Sequence, residues 1–357
     1  MRSRRRGGIA RAAAVRVLAL LGTFGAIGAF VASAPPQAKA AQSPAEFYAG
    51  KSIDLQIGYS VGGGYDLYAR LLARHLGKHI PGNPTVVPKN MEGAGSLRLA
   101  NWLYSAAPRD GTVIGATSRG APFDPLLNEH GAQFDASKFT YVGSANNEVS
   151  LCVALPSSGV TKFDDLYTKT LTIGSTGVGD DTYQFPAVMN AVLGTKFKIV
   201  TGYPGGNDVS LAIERGEVDG RCGWSYSSLI TTRPTWLPTK KITILVQMSL
   251  AKHPDLPDVP LIMDMAKTQE QRQIFRLVCA RQVMGRPYLA PPGLPPDRAA
   301  ALRQAFDETM RDKEFLADAE QNKVEINPVS GKDLEALIKD IYRTPPDVTK
   351  RAAAMMQ

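Results

Sequence analysis

The chain of 357 residues carries a formal net charge of +8, from 41 basic and 33 acidic residues. Its first 40 residues contain seven of the basic residues and no acidic residue, so the remaining 317 residues have a net charge of +1. A nearly neutral chain lacks the basic surplus with which proteins bind nucleic acids, so we expect no nucleic-acid partner. A length of 317 residues also exceeds what one hydrophobic core usually serves, which predicts two lobes.

The first forty residues have the layout of a secretory signal peptide. Six arginines between Arg2 and Arg16 precede an apolar stretch from Val17 to Ala32. Ala38-Lys39-Ala40 then matches the small-x-small pattern that a signal peptidase reads, so we expect cleavage after Ala40 and a mature protein outside the cytoplasm. An uncleaved membrane anchor is the alternative, but the apolar stretch is shorter than a spanning helix needs.

Three cysteines, Cys152, Cys222 and Cys279, are too few for a disulfide scaffold, and their odd number leaves at least one free thiol. One disulfide bond among them is possible, but the sequence does not indicate which pair forms it. The default interpretation is that the cysteines are buried, unreactive thiols.

Strand–turn–helix units organise the first part of the chain. Apolar and polar residues alternate from Ile53 to Tyr59, which predicts a strand. The glycine turn Ser60–Asp66 follows, and an apolar residue at every fourth position predicts a helix from Asp66 to about His79. A second strand at Thr85–Val87, a further glycine turn and helix, and a third strand at Thr112–Thr117 continue the alternation. Such alternation predicts βαβ crossovers and a mainly parallel sheet.

The same alternation recurs further along the chain and predicts a second lobe of similar wiring. Strands are predicted at Leu171–Ser175, Phe197–Val200 and Val218–Trp224, separated by helices at Thr182–Leu193 and Val209–Arg215.

The two repeats define the predicted domain organisation. We expect the chain to cross between the lobes within Tyr141–Leu155 and again near Arg286–Ala290. The prediction is a signal peptide at residues 1–40, a first lobe formed by residues 41–145 plus 286–357, and a second lobe formed by residues 146–285.

Four glycine turns, each between a predicted strand and a helix, are the main functional signal. Glycine permits close approach of a ligand, and helix N-termini present unpaired N–H groups that bind carboxylate or phosphate. Four turns at equivalent places favour a binding site, in which a β-branched residue at Gly63 would obstruct both turn and ligand. The alternative is ordinary turns whose helices are capped by Asp66, Ser96, Asp180 or Asp181, and Asp208. The turns are SVGGGYD at 60–66, MEGAGS at 91–96, TGVGDD at 176–181 and YPGGND at 203–208.

One cation and several aromatic residues lie next to these turns. Arg119 follows the third predicted strand, at the edge where open α/β sheets bind ligands, and its guanidinium can clamp a carboxylate. A solvated loop arginine is an equal alternative. Trp224 and Tyr203 border glycine turns and can stack on a ligand, as can Tyr65 and Tyr183, although aromatic residues there are as often part of the core.

A rival function, a secreted serine hydrolase, comes from the stretch Gly58–Gly62. It matches the G-x-S-x-G nucleophile elbow, with Ser60 on a strand-to-helix turn. Against it, the turn follows the first strand of the mature chain, and no oxyanion-type segment precedes it. The only histidines far enough downstream to serve as the base, His130 and His253, lie in irregular stretches.

We expect neither a metal nor a cofactor. His75 and His79 stand four apart on a predicted helix, as zinc ligands can, but the glutamate of the HExxH motif is missing between them. None of the glycine turns continues into the Gly-Lys-Ser or Gly-Lys-Thr of a P-loop, and none has the third glycine of the dinucleotide fingerprint.

Several stretches, taken in order, resemble the Bug-type receptors of tripartite tricarboxylate transporters. FYAGKSIDLQIGYSVGGGYDLYARLLARHL is similar to their first strand, glycine loop and first helix, and NMEGAGS with AAPRDG resembles the second loop and the turn beyond it. GSTGVGDD, GYPGGND with RGEVDG, and DLPDVP followed by YLAPPGLPPD resemble the later landmarks. The resemblance covers nearly all of the chain after residue 40.

The resemblance implies a two-lobed periplasmic binding protein fold of type II, in the α/β class, each lobe a mainly parallel sheet flanked by helices. It implies a periplasmic receptor, not an enzyme, that captures a small organic carboxylate in the cleft between the lobes. The receptor would hand this ligand to a membrane permease of two subunits, and we expect it to be a monomer.

The resemblance also implies which loops hold the ligand, through backbone amides and waters. Two adjacent aspartates would repel a carboxylate, so we expect Asp180 or Asp181 to turn away and cap its helix, with Arg119 offsetting the remaining negative potential. The predicted ligand-binding residues are Ser60, Val61, Gly62, Gly63, Gly64, Asp66, Arg119, Ser175, Thr176, Gly177, Val178, Gly179, Asp180, Asp181, Tyr203 and Trp224.

Overall fold

The computed structural model describes residues 42–127 and 131–356, so the predicted signal peptide lies outside the described residues. None of the described helices combines the length and the apolarity that a membrane span needs. In chain order, helices α1 to α12 are Pro44–Tyr48, Gly64–Leu76, Leu97–Ser105, Asp124–Leu127, Asp181–Leu193, Gly206–Glu214, Tyr226–Thr232, Gln269–Cys279, Pro296–Thr309, Lys313–Gln321, Gly331–Ile341 and Pro346–Ala354. Strands β1 to β11 are Ser52–Ile57, Thr85–Asn90, Val113–Ala116, Thr140–Ser144, Ser150–Ala154, Leu171–Gly174, Phe197–Val200, Gly220–Ser225, Thr243–Met248, Pro287–Ala290 and Val329–Ser330.

The strands form two sheets. The first has the order β11-β4-β10-β3-β1-β2, and the second has the order β7-β6-β8-β5-β9. Four of the six strands in the first sheet and four of the five in the second point in one direction. The alternation of strands and helices in the sequence predicts this arrangement. We call each sheet with its helices the first lobe and the second lobe.

The two lobes share one wiring. In each lobe, the first strand of the parallel set lies between the next two strands of that set. This central strand is β1 in the first sheet and β6 in the second. The next position is taken by an antiparallel strand, β10 or β5, which the chain enters after leaving the other sheet. The chain therefore passes between the sheets from β4 to β5 and again between β9 and β10.

The glycine turn after β1 leads into α2 earlier than predicted. The helix begins at Gly64 with Gly63 as its N-cap, and Tyr68 and Leu72 lie on its buried face. Asp66 therefore occupies the third helical position and not the N-cap. Its carboxylate accepts a hydrogen bond of 3.0 Å from the backbone N–H of Gly62, and an acid in the first turn complements the helix dipole.

Of the other predicted N-cap residues, one caps its helix through its side chain and two do not. Asp180 caps α5, and its carboxylate accepts a hydrogen bond of 2.9 Å from the N–H of Thr182. Asp208 lies in the third position of α6, after the N-cap Gly205. Ser96 precedes α3 without a capping bond, because its hydroxyl accepts a 3.0 Å hydrogen bond from the N–H of Ser118 instead.

The hydrophobic core continues from one lobe into the other. One cluster lies between the first sheet and helices α2 and α9, and includes Leu55 and Phe306. A larger cluster joins Phe123 of the first lobe to Phe185 and Cys152 of the second. A fully buried leucine or phenylalanine contributes about 1.5–3 kcal/mol, so this shared packing holds the lobes together along with the chain crossings.

One disulfide bond ties neighbouring antiparallel strands of the second sheet. It joins Cys152 in β5 to Cys222 in β8, so the default interpretation of buried free thiols is wrong for these two cysteines. Cys279 is free, and burial raises the pKa of its thiol to about 12. Disulfide bonds persist mainly in oxidising compartments, which agrees with the expected export.

Candidate ligand-binding site

A cavity of about 40 Å³ lies between the two lobes. Parallel strands β1, β3, β6 and β8 lead at their carboxyl ends into the segments that line it, which is the edge where open α/β sheets bind ligands. The lining residues are Tyr59, Gly63, Gly64, Tyr65, Arg119 and Arg286 from the first lobe, and Thr176, Asp180, Asp181, Thr182, Gly206, Arg221, Gly223, Trp224, Ser225 and Ser228 from the second.

Three helix N-termini converge on this cavity. Helices α2, α5 and α6 begin at Gly64, Asp181 and Gly206, and all three residues line it. Each helix start presents N–H groups and the positive end of the helix dipole, a combination that favours anions. The remaining glycine turn, at residues 91–96, does not line the cavity. A Cβ on Gly95 would lie 2.7 Å from Cβ of Asp180, so this turn packs against the second lobe.

The close approach of the lobes depends on Gly64 and not on Gly63. A Cβ at Gly64 would overlap the hydroxyl of Ser228 in the opposite lobe and lie 2.9 Å from its Cβ. At Gly63 the nearest such contact is 3.8 Å, and its φ of −87° suits any residue, so the turn itself does not require glycine at this position.

Gly64→Ala is expected to hold the lobes apart and to weaken ligand binding. Overpacking costs about 1–3 kcal/mol, which corresponds to about 5- to 150-fold in the dissociation constant. Gly63→Ala is the matched control and should change the constant by less than about threefold, which is about 0.7 kcal/mol. Titration calorimetry on both variants provides the measurement, and equal effects would contradict the assignment.

Asp180 caps its helix, as expected from the sequence for one of the two adjacent aspartates, but neither Asp180 nor Asp181 turns away from the cleft, because both line the cavity. One carboxylate oxygen of Asp180 accepts the capping hydrogen bond from Thr182, and the other accepts a hydrogen bond from the hydroxyl of Tyr59 across the cleft. Burial, and secondly the charge of Asp181, raise the pKa of Asp180 above its ordinary value. Asp180 thus caps its helix and fastens the two lobes together.

Arg119 is buried and ion-paired, so it is not the solvated loop arginine that was one alternative. Its Nε donates to Asp181 over 2.5 Å, and its Nη2 donates to Ser225 over 2.9 Å, both across the cleft. Arg281 donates to the other oxygen of Asp181 over 3.1 Å. The guanidinium that was expected to bind a ligand carboxylate is therefore already paired with a carboxylate of the chain itself. Only Nη1 of Arg119 lacks a partner among the described residues.

Arg221, which was missed at the sequence level, is a cavity-lining cation without a carboxylate partner among the described residues. Its Nη1 donates to the backbone oxygen of Gly206 over 2.6 Å and to Ser210 over 3.2 Å, and its Nε has no partner among the described residues. No ion pair to a described carboxylate is formed. Burial lowers the pKa of Arg221 to about 9, and the charge of Asp180 acts in the opposite direction. The sequence signal that could have identified Arg221 is its position as a charged residue within an otherwise uncharged stretch that forms the buried strand β8.

Trp224 lines the cavity as predicted and supports Arg221. The Arg221 guanidinium lies 4.5 Å from the centre of the Trp224 ring, and Trp236 packs edge-on against the same ring. Cation–π contact restrains the guanidinium without neutralising its charge. The tryptophan therefore holds the cation in place without engaging its unpartnered Nε–H group.

A second missed residue, Arg286, links the cavity to the chain crossings. It directly precedes β10, and its Nη2 pairs with Glu148, in the other crossing segment, over 2.9 Å. The same nitrogen donates to Ser228 over 2.7 Å. Because both crossings and the second lobe meet at this guanidinium, its geometry depends on how the lobes are positioned.

Part of the predicted loop 60–66 forms hydrogen bonds within the loop and to the opposite lobe, without lining the cavity. The hydroxyl of Ser60 donates to Asp208 of the opposite lobe, and Val61 is 62% exposed. The N–H of Gly62 is engaged by Asp66, whose carboxylate also accepts a hydrogen bond of 2.9 Å from Arg70. Asp66 therefore fixes the loop conformation and does not reach the cavity lining.

The predicted loop 175–181 divides similarly, with Thr176, Asp180 and Asp181 in the lining. Three other members of this loop contact protein groups. The hydroxyl of Ser175 lies 3.0 Å from that of Thr182. A Cβ added at Gly177 would approach Ala94 of the first lobe to 2.8 Å, and one added at Gly179 would approach Asp124 of the first lobe to 2.9 Å. Val178 is 49% exposed.

Tyr203 is not among the cavity lining. Its ring lies beside Gly174, where a Cβ would approach it to 3.1 Å, and it packs against the cluster that contains Val209 and Trp224. Tyr203 therefore packs, partly buried, against the core of the second lobe.

The hydrolase alternative is not supported. Ser60 donates its hydroxyl proton to the carboxylate of Asp208, and no described histidine contacts it. His253 lies beside Asp255, in contacts away from Ser60, and His130 falls outside the described residues.

The two helix-spaced histidines belong to an ion-pair cluster within the first lobe. His75 contacts Asp318 over 2.8 Å, and His79 contacts Asp312 over 2.8 Å. Donor atoms of His75, Asp312 and Glu314 lie within 4.8 Å of one another, but Lys78 pairs with both of these carboxylates over 2.5 Å. The lysine ammonium already lies between the two acids, so salt bridges account for the cluster.

Two similar α/β lobes, two chain crossings and an anion-suited cavity between them define the fold of the two-lobed periplasmic binding proteins. No protein-family model and no curated protein matches the chain. Among solved structures, the chain is similar to the periplasmic binding protein BugD, with a TM-score of 0.68 and 20% identity over 85% of this chain and 98% of that one.

Two further solved structures carry a ligand in their description. Rpa4515 of R. palustris with adipate matches with a TM-score of 0.65 and 18% identity, over 85% of this chain and 97% of that one. MatC from Rhodopseudomonas palustris with bound malate matches with a TM-score of 0.64 and 18% identity, over 86% of this chain and 99% of that one. The predicted fold class is thereby confirmed.

Proposed function

We propose that this protein is an extracytoplasmic solute receptor that captures a small organic carboxylate between its two lobes. The observation that carries the proposal is Arg221, a buried cation that faces a cavity between three helix N-termini and has no carboxylate partner among the described residues. Burying an unpaired charge costs several kcal/mol. A ligand carboxylate in the cavity would offset that cost, which gives the site a reason to bind anions.

The proposal extends to the wider setting of a Bug-type receptor. Adipate and malate, named for two proteins of similar fold, are both carboxylates. We propose that residues 1–40 are removed on export, that the receptor is a monomer in the periplasm, and that it delivers its ligand to a two-subunit tripartite tricarboxylate-type permease. The proposed lobe boundaries are 41–145 plus 286–357 and 146–285.

A thermal-shift screen of refolded protein against carboxylates tests the proposal. Refolding strips any co-purified ligand, and a ligand that binds only the native state stabilises it by about 2.7 kcal/mol at one hundred times its dissociation constant. We expect at least one carboxylate to raise the melting temperature, and its amide to have no effect. Stabilisation by amides or amines in place of carboxylates would overturn the proposal.

Carboxylate binding is expected to weaken as the pH rises. Burial raises the pKa of Asp180, so this side chain becomes negative at a higher pH than an ordinary aspartate does. The negative form repels a bound anion, so affinity should fall as the pH passes through this raised value. Calorimetry between about pH 5.5 and 8, where ordinary carboxylate ligands are already ionised, measures the profile.

Asp180→Asn is the control for this pH effect. Asparagine retains the capping acceptor for Thr182 but does not titrate. The variant should show a flatter profile than the natural protein over the same range. A profile that stays as steep in the variant would assign the pH effect to another group.

A further inference from the structure

Two of the three guanidiniums that line the cavity are already neutralised by the chain itself. Arg119 pairs with Asp181, and Arg286 pairs with Glu148. All four side chains are 3% exposed or less, so these pairs are desolvated and are strongly destabilised if either partner is removed. Only Arg221 offers a full positive charge to a ligand.

The anionic atoms around the cavity are also engaged. Asp181 accepts hydrogen bonds from Arg119, Arg281 and Gln282. Asp180 accepts hydrogen bonds from Thr182 and Tyr59. The unpartnered atoms of the lining arginines are N–H donors, namely Nε of Arg221, Nη1 of Arg119 and Nε of Arg286. Among the described residues, the lining therefore has donors for an anion but no free carboxylate for a cationic or zwitterionic ligand.

The space between the lobes is small. The cavity volume of about 40 Å³ is only a few times the roughly 10–15 Å³ that is needed to hold one water molecule. Dicarboxylates such as malate and adipate are far larger. A second carboxylate would also have to displace Asp181 from Arg119 and leave Arg281 without its ion pair.

We propose that the site selects a short ligand with a single carboxylate, anchored on Arg221, and discriminates against dicarboxylates because Asp181 occupies the position that a second carboxylate would take on Arg119. This inference rests on the proposed carboxylate-binding function and narrows it. Asp181 is the residue that determines specificity: it acts as a built-in carboxylate fixed to the second lobe. The aromatic rings of Tyr65 and Trp224, which also line the cavity, suit the short apolar part of such a ligand.

The test compares acetate, propionate, malate and adipate by calorimetry on the refolded mature chain. We expect acetate or propionate to bind at least about tenfold more tightly than either dicarboxylate, a difference of about 1.4 kcal/mol. Tighter binding of malate or adipate would overturn the inference and leave the proposed receptor function standing. If none of the four binds while a non-carboxylate solute does, the proposed function itself fails.

Asp181→Asn provides an independent arm of the test. Asparagine keeps the size of the side chain but removes its charge, so Arg119 becomes available to a second ligand carboxylate. We expect the preference for acetate over malate to fall at least about tenfold, and circular dichroism with thermal melting checks that the variant is folded. A folded variant with an unchanged ratio of affinities would overturn the role of Asp181, and if the variant does not fold the comparison of ligands on the natural chain still decides the inference.

Discussion

Arg221→Gln is expected to weaken carboxylate binding by about 10- to 150-fold while leaving the fold as stable as before, or more stable. A hydrogen bond to a charged group contributes about 1.5–3 kcal/mol, and the variant loses both the charge and the donor geometry. The guanidinium is buried without a carboxylate partner, so its removal relieves a desolvation cost. Loss of binding together with unchanged or raised stability distinguishes a ligand anchor from a structural ion pair.

Calorimetry and thermal melting on the same samples measure both effects. Arg233→Gln is the matched control, because Arg233 also stacks on a tryptophan of the second lobe but pairs with Glu214 and does not line the cavity. This control should bind the ligand within about twofold of the natural protein, which is about 0.4 kcal/mol. Equal losses in the two variants would show that overall positive charge, and not the position of Arg221, attracts the ligand.

Removing the disulfide bond by the double change Cys152→Ala and Cys222→Ala is expected to lower the free energy of unfolding by about 2–4 kcal/mol. The bond closes a loop with a sequence separation of 70 residues, and cross-links of this kind restrict the unfolded chain. Urea unfolding gives the difference. Because neither cysteine side chain is part of the cavity lining, binding measured well below the unfolding transition should change little.

Two observations keep this prediction specific to the bond. A reducing agent should lower the stability of the natural chain but leave the double variant unchanged. In denaturant, one thiol should react before reduction and three afterwards, since Cys279 is free. Three reactive thiols before reduction would show that the bond does not form.

The sequence by itself determined the order of the elements, because the signals for each one are local. Alternating apolar residues place β1, a buried face with a four-residue repeat places α2, and glycine turns mark where one ends and the other begins. Repetition of this pattern was sufficient to predict two lobes of like wiring. The sequence also predicted that Asp180 or Asp181 caps α5, because an N-cap bonds to a residue two or three positions away, and the structure shows that Asp180 does so.

Only the tertiary structure decided which charged groups meet in the cavity. Arg119 and Asp181 are 62 residues apart and belong to different lobes, so nothing local in the sequence indicates that one neutralises the other. Arg221 lies in a strand whose pattern predicts burial, and only the arrangement of all neighbouring carboxylates shows that it is unpaired. The pairing of Cys152 with Cys222 likewise depends on β5 and β8 being neighbours, because chain spacing does not determine strand order. Local interactions place the elements, whereas the charge of the site is a sum over groups that folding brings together from distant parts of the chain.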